Sequence, residues 1–439
     1  MSARQTALQV LIACRQEDGW SNGILKRQIS QNRLDKREAA LATCLCYGVM
    51  QNRLKLDFYL KQLLTGKLKN LHPVVRDILH LGLFQLYELD RIPDSAAVNE
   101  SVELTKRFCR GQRNASQLVN GVLRSAVRMN GLLQQPKSLE DRYSHPWPLI
   151  ASLRDYVGKE RLESMLIANN QAPDTVIQVN TLRTDLPALV QMLQEEGVQA
   201  TPHPWMENCL VLSGTGALEQ LPSFAQGLFY VQDTAAKLSV QCLQLAPEPG
   251  QQILDCCAAP GGKTFAAAIA TKDQGTIYSC DVYAHKTALI EKGAQRLGLQ
   301  HVHAAQWDAT QFRPEWEQKM DTVIADVPCS GYGIIRKKPD IRYKDMEKMR
   351  QLPQLQFQIL ENQSRYVKPG GLLLYSTCTL VREENEGVVE AFLAGHPEFQ
   401  TEPLPLPPVF PKNETGMLAL VPGEYDTDGF FICRLRRML

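Results

Sequence analysis

The chain has 439 residues, 44% of them apolar, and a formal net charge of +1, a length that points to two or three domains. No apolar run reaches the roughly 18 residues of a membrane span, and the opening MSARQTALQVLIACRQEDGW lacks an apolar block closed by a small-residue cleavage site, so a cytoplasmic, monomeric protein is expected. The 12 cysteines are scattered without CxxC spacing, which predicts reduced thiols and no metal site.

Residues 1–130 hold 20 Lys/Arg against 11 Asp/Glu, and the remainder 28 against 36. A basic front on a mildly acidic body suits an anionic partner, although a solvated helical surface would also carry such charge. The front reads as helices. Leu56, Tyr59, Leu60, Leu63 and Leu64 keep helical spacing, as do Val75, Ile78, Leu79 and Leu86. Leu118, Val122 and Ala126 form one file, with Val119, Leu123 and Val127 beside it. Pro73 and Pro93 stand where helices start. An all-α bundle over 1–138 is predicted.

Prolines 136, 146 and 148 break this pattern. Short strands at 175–179, 209–212 and 228–231, with a helix at 185–196, predict a small α+β module over 139–235. From residue 236 to 439 the pattern becomes strand–helix alternation, with apolar runs at 253–256, 276–280, 302–307, 322–325 and 372–375. That is the signature of a doubly wound, Rossmann-like α/β sheet.

Ligands of such sheets bind beyond the carboxyl ends of the strands, and the informative residues stand there. The first run leads into Cys257-Ala258-Ala259-Pro260-Gly261-Gly262-Lys263-Thr264, the second into Asp281, the third to Asp308 and the fourth to Asp326. Any one of these acids could be a helix cap. Three at successive strand ends line one crevice, and Asp281, 20 residues past Gly261, is placed to take both hydroxyls of a ribose. A phosphate loop would need glycine at 257, where Cys257 stands, and the dinucleotide pattern G-x-G-x-x-G is absent. S-adenosyl-L-methionine, a nucleoside without phosphates, suits the crevice better.

Two strand ends also carry thiols, Cys329 after Asp326-Val-Pro and Cys378 after Ser376-Thr. Either cysteine alone could be a small buried hydrophobe; a pair at one sheet edge suggests chemistry. The strings CAAPGGKT, DVPCSGYGIIRKKPDI and YSTCT, in that order and closed by DGFF at 428–431, resemble the RNA 5-methylcytosine methyltransferase family. Cys256, where an aliphatic residue is usual, and Val327 in place of alanine are mild departures. Gln117–Arg124, with Arg91–Asp94 and Ala97–Val102, resembles NusB-type RNA-binding domains. The combination is similar to the bacterial branch acting on small-subunit (16S) ribosomal RNA.

The resemblance implies that Cys378 attacks carbon 6 of cytosine, that Cys329 assists release, and that Asp326 steadies the base and the cofactor's charged end. It also implies that residues 257–263, Asp281, Asp308 and Asp326 hold S-adenosyl-L-methionine. The basic stretch Arg336, Lys337, Lys338 and Arg342 would hold RNA phosphates beside a base drawn out of its stack. Another RNA, such as tRNA or large-subunit rRNA, is the alternative substrate. A DNA cytosine-5 methyltransferase would use the Pro-Cys thiol and lack Cys378. A non-catalytic RNA-binding factor would leave the crevice and thiols without purpose.

Overall fold

The computed structural model describes residues 1–17 and 21–439. They divide into two compact units, one of Met1–Gln171 with Ile335–Lys344, the other of Ala172–Ile334 with Asp345–Leu439. No helix among the described residues is long and apolar enough to cross a membrane.

The first unit is helical: Ala3–Glu17, Ser21–Gln31, Lys36–Gln51, Arg53–Leu63, Pro73–Glu88, Asp94–Phe108 and Ala115–Arg128, then Leu139–Tyr143, Trp147–Val157 and Lys159–Ala168. Local signals set the starts. Asp35 accepts the backbone N–H of Glu38, Pro73 is a first-turn proline, and Pro93 precedes Asp94. Leu8, Leu45, Leu56, Leu60, Ile78, Leu79 and Leu123 share one core. The two apolar files of the seventh helix merge into one buried seam of Ala115, Val119, Val122, Leu123 and Ala126. Leu118 is left 38% exposed. Buried Asp57 is met by Arg76 and His80, with His80 Nε2 at 2.8 Å.

The helical unit runs past the expected boundary at 138. Ser144 Oγ accepts the N–H of Leu54 at 2.7 Å, and Leu149, Ile150 and Leu153 are buried. A second correction concerns Arg342, expected to face RNA. It is 3% exposed, and its guanidinium donates to the carbonyls of Gln51, Tyr143, Ser144 and Asn169 at 2.9–3.3 Å. A side chain so enclosed cannot reach a phosphate.

The second unit opens with an antiparallel sheet of β1 (Thr175–Val179), β2 (Gln199–Pro202), β3 (Cys209–Ser213) and β4 (Phe229–Val231), ordered β2-β3-β1-β4. Helix Leu186–Glu195, capped by Asp185, packs Leu189 and Leu193 into a core with Ile177, Val179 and Phe229.

The larger sheet contains β5 (Gln252–Asp255), β6 (Thr276–Asp281), β7 (Val302–Gln306), β8 (Met320–Asp326), β9 (Val367–Thr377), β10 (Phe399–Thr401), β11 (Met417–Leu420) and β12 (Phe430–Arg437). Its order is β10-β12-β9-β8-β5-β6-β7, with β11 on β12. β5 to β9 are parallel and match the five predicted runs. The three late strands are antiparallel additions that the alternation did not reveal. The chain leaves β5 towards β6 on one side and returns as β8 on the other, so a switch-point crevice opens at their carboxyl ends.

Candidate active site

The loop after β5 turns tightly. Cys256 N–H donates to Ile324 O at 3.0 Å, Ala258 N–H to Cys280 O at 2.8 Å, and Gly261 N–H to Ala258 O at 2.7 Å. Gly261 precedes helix Gly262–Ala270 at φ 110°. A side chain there would be strained, and its Cβ would lie 2.4 Å from the Phe265 ring. Glycine therefore lets the turn that carries Cys257, Ala258, Ala259 and Pro260 close against Phe265.

The strand-end acids differ in setting. Asp281 is 6% exposed; its Oδ1 accepts the N–H of Tyr283 at 3.1 Å and lies 3.5 Å from Lys286 Nζ. Asp308, two residues beyond β7, is exposed and accepts from Thr310 N–H at 2.9 Å and its hydroxyl at 2.7 Å. Asp326 ends β8. Its Oδ2 is 2.7 Å from Lys263 Nζ, and its Oδ1 accepts from Ser376 Oγ at 2.8 Å. Lys263 is itself largely buried.

Sequence reasoning missed a fourth acid. Asp255, at the end of β5, is fully buried and accepts from Thr264 Oγ1 at 2.7 Å, while its Oδ1 has no partner. Burial pushes its carboxyl up to about 7. The signal was present, because Asp255 stands one residue inside the apolar run read as strand.

The thiols meet. In the β8–β9 pairing Asp326 lies opposite Ser376, which carries both following loops to one edge, and Cys329 Sγ lies 3.2 Å from Cys378 Sγ. Both residues are half-buried. The hydrogen bond to Cys378, then burial, then the charges of Cys378, Glu384 and Asp326 push Cys329 well above the ordinary thiol range. The neutral thiol of Cys329 is thereby favoured over its thiolate.

A buried framework fixes both loops. Ser330 Oγ and Thr379 Oγ1 are 2.6 Å apart, Glu384 Oε2 accepts from Ser330 N–H and Gln356 Nε2, and Thr377 Oγ1 bonds Asn385. Gly333 N–H donates to Cys378 O at 3.0 Å, and its carbonyl accepts from Gly429 N–H at 2.8 Å. The DGFF segment thus lies against the Pro-Cys loop, backbone to backbone. Arg336, Lys337 and Lys338 are half-buried and belong with Arg342 to the helical unit.

The residues present fit S-adenosyl-L-methionine. Acids stand at the strand ends, and Lys263 is already matched by Asp326, which suits a cationic nucleoside better than a phosphate.

Comparison with known proteins agrees across the chain. Residues 242–436 match the family described as 16S rRNA methyltransferase RsmB/F, residues 1–128 the NusB family, and residues 145–219 a ferredoxin-like domain of RsmF/B-like methyltransferases. The chain is 35% identical over 448 residues to the "Probable ribosomal RNA small subunit methyltransferase B" of Bacillus subtilis (strain 168), covering 99% of each. It is 36% identical over 451 residues, with 100% of each covered, to the protein of that name from Synechocystis sp.. The crystal structure of PH0851 superposes with a TM-score of 0.82 at 26% identity, covering 100% of this chain and 99% of that one. With full-length similarity, matching domain order and a thiol-lined crevice at the switch point, the chain belongs to the RsmB/F family of 16S rRNA methyltransferases.

Proposed function

We propose that the chain transfers a methyl group from S-adenosyl-L-methionine to carbon 5 of a cytosine in 16S ribosomal RNA, acting in the cytoplasm through a covalent bond from Cys378 to carbon 6. The carrying observation is the thiol pair, 3.2 Å apart at the strand ends. The cofactor would lie against residues 257–263, with Asp281 on the ribose and Asp308 near the adenine. Its methyl sulfonium supplies the electrophile.

Carbon 5 of cytosine is a weak nucleophile. Addition of the Cys378 thiolate to carbon 6 makes the ring enamine-like, which divides a hard step into easier ones. Cys378 must lose its proton to attack, since the thiolate is the nucleophile. After methylation the proton at carbon 5 passes to water, its bonding pair re-forms the double bond between carbons 5 and 6, and the Cys378 sulfur leaves carbon 6 as a thiolate. Cys329, protonated at hydrogen-bond range, stabilises the departing Cys378 sulfur. Asp326, fixed by Lys263 and Ser376, presents its charge towards the base and the cofactor's cationic end. RNA phosphates fall to Arg336, Lys337 and Lys338, without Arg342.

Denaturing electrophoresis with target RNA tests the assignment. Cys378→Ala should form neither adduct nor product, and Cys329→Ala should accumulate a protein–RNA adduct because release is impaired. The reverse pattern would mark DNA-enzyme chemistry. A stable adduct from Cys378→Ala would refute both thiol roles.

A further inference from the structure

The segment after the Pro-Cys motif belongs to the helical unit although it leaves the catalytic sheet. Residues up to Ile334 group with the sheet and Ile335–Lys344 with the helices. Cys329 stands six residues before that crossing. On the sheet side the loop is fixed through Gly333, bonded to Cys378 and Gly429.

On the helical side the fastening is extensive. Asp340 Oδ1 accepts from Ser21 Oγ at 2.7 Å. Arg53 lies over the Tyr343 ring, 5.1 Å from its centre. Arg342 joins the end of Lys36–Gln51, the turn at Tyr143–Ser144 and the end of Lys159–Ala168 through one guanidinium. Its partners among the described residues are carbonyls, with no carboxylate, and its Nε has no partner. Burying a cation this way is costly, and burial lowers its pKa to about 10. Stability alone would be served as well by an apolar residue of similar volume. What the planar fork provides is one fixed position for the segment against three separate elements.

We propose that Arg342 is a positioning residue: it locks residues 335–344 to the helical unit, so that RNA held by that unit sets the loop carrying Cys329. This rests on the proposed role of Cys329 in methyl transfer. Arg342 touches neither cofactor nor base and acts through the chain between itself and that thiol.

The test uses full-length Arg342→Ala and Arg342→Lys. Cofactor affinity, RNA affinity and the salt slope of RNA binding should stay within about twofold of wild type. The single-turnover methylation rate at saturating RNA and cofactor should fall at least about tenfold, because a misplacement of about 1 Å can cost roughly 100-fold. Lysine keeps the charge but not the fork, so it should restore the melting temperature more than the rate. Alkylation of Cys329 by iodoacetamide, followed by mass spectrometry, should change on RNA binding in wild type and not in Arg342→Ala.

A fall in RNA affinity and salt slope, with the saturated rate intact, would make Arg342 a phosphate contact and overturn the proposal. A lowered melting temperature with unchanged rate and alkylation response would reduce it to a stability role and also overturn it. If Arg342→Ala does not fold, Ser21→Ala with Asp340→Asn loosens the same segment. It should lower the saturated rate in the same direction, and an unchanged rate would overturn the proposal. Wild type that shows RNA-dependent Cys329 alkylation but no cytosine methylation would refute the proposed function and leave the coupling standing. Methylation with RNA-independent alkylation would overturn the coupling alone.

Discussion

Gly333→Ala should separate binding from chemistry. A Cβ at this position would lie 2.1 Å from the Gly429 carbonyl oxygen, and ordinary contact begins at 3.4 Å. The Pro-Cys loop or the 428–431 segment must therefore retreat by about 1.3 Å. Both partners are backbone, so no rotamer relieves the clash. Overpacking costs about 1–3 kcal/mol. Loss of the 2.8 Å bond from Gly429 N–H adds about 0.5–1.5 kcal/mol, for a destabilisation of roughly 1.5–4.5 kcal/mol. Because the displaced loop carries Cys329, the single-turnover rate should fall roughly 100-fold. Asp281 and residues 257–263 lie outside the clash, so cofactor affinity should hold. Urea unfolding, calorimetric titration and a quenched methyl-transfer assay measure the three quantities. A folded Gly333→Ala enzyme with wild-type rate would show that the backbone contact does not set the loop.

Asp255→Asn tests the buried acid. The folded protein keeps a proton that the unfolded chain loses near pH 4, because burial raises this carboxyl to about 7. Wild-type stability should therefore decline relative to Asp255→Asn as pH rises from about 4 to 7, by up to about 4 kcal/mol, and level off above. Urea midpoints differing by a constant from pH 5 to 8 would refute the shift. Asp281→Ala should lose charge-assisted bonds worth roughly 1.5–3 kcal/mol, or about 10–150-fold in S-adenosyl-L-methionine affinity. Unchanged affinity by calorimetric titration would remove Asp281 from the ribose.

The parallel strands were legible because strands covered on both faces read as unbroken apolar runs. Asp281, Asp326, Cys329 and Cys378 were legible as strand-end residues for the same reason. Their mutual approach was not, because it depends on which strands become neighbours and in what register. Asp255 was hidden inside the run that marks its own strand. Arg342 was misread since a basic stretch looks alike whether a guanidinium turns outwards or inwards; only the backbone carbonyls of Gln51, Tyr143, Ser144 and Asn169, distant in sequence, decide it. The boundary at 138 followed the prolines, whereas the buried residues of Trp147–Val157 and Lys159–Ala168 carry the unit on to Gln171. Strand β12 stayed unread because Phe430–Arg437 begins inside the DGFF motif and carries Arg434, Arg436 and Arg437, so it shows no unbroken apolar run.

The junction between the antiparallel module and the larger sheet bears on how such an enzyme can be rebuilt. Asn180 Nδ2 donates to the carbonyls of Gly227 and Leu297, each at 2.9 Å. Arg296 spans to the carbonyls of Phe224 and Phe229 at 2.8 and 2.9 Å, with its guanidinium over the Phe224 ring. All but the Asn180–Gly227 bond cross the point, near residue 235, where a cut would look natural from the chain alone. A catalytic fragment starting there would keep the Arg296 donors without their carbonyls and leave Leu297 O without its amide. The module is thus no interchangeable cassette. Chimaeras between relatives should exchange residues 172–334 and 345–439 together, as one inherited block.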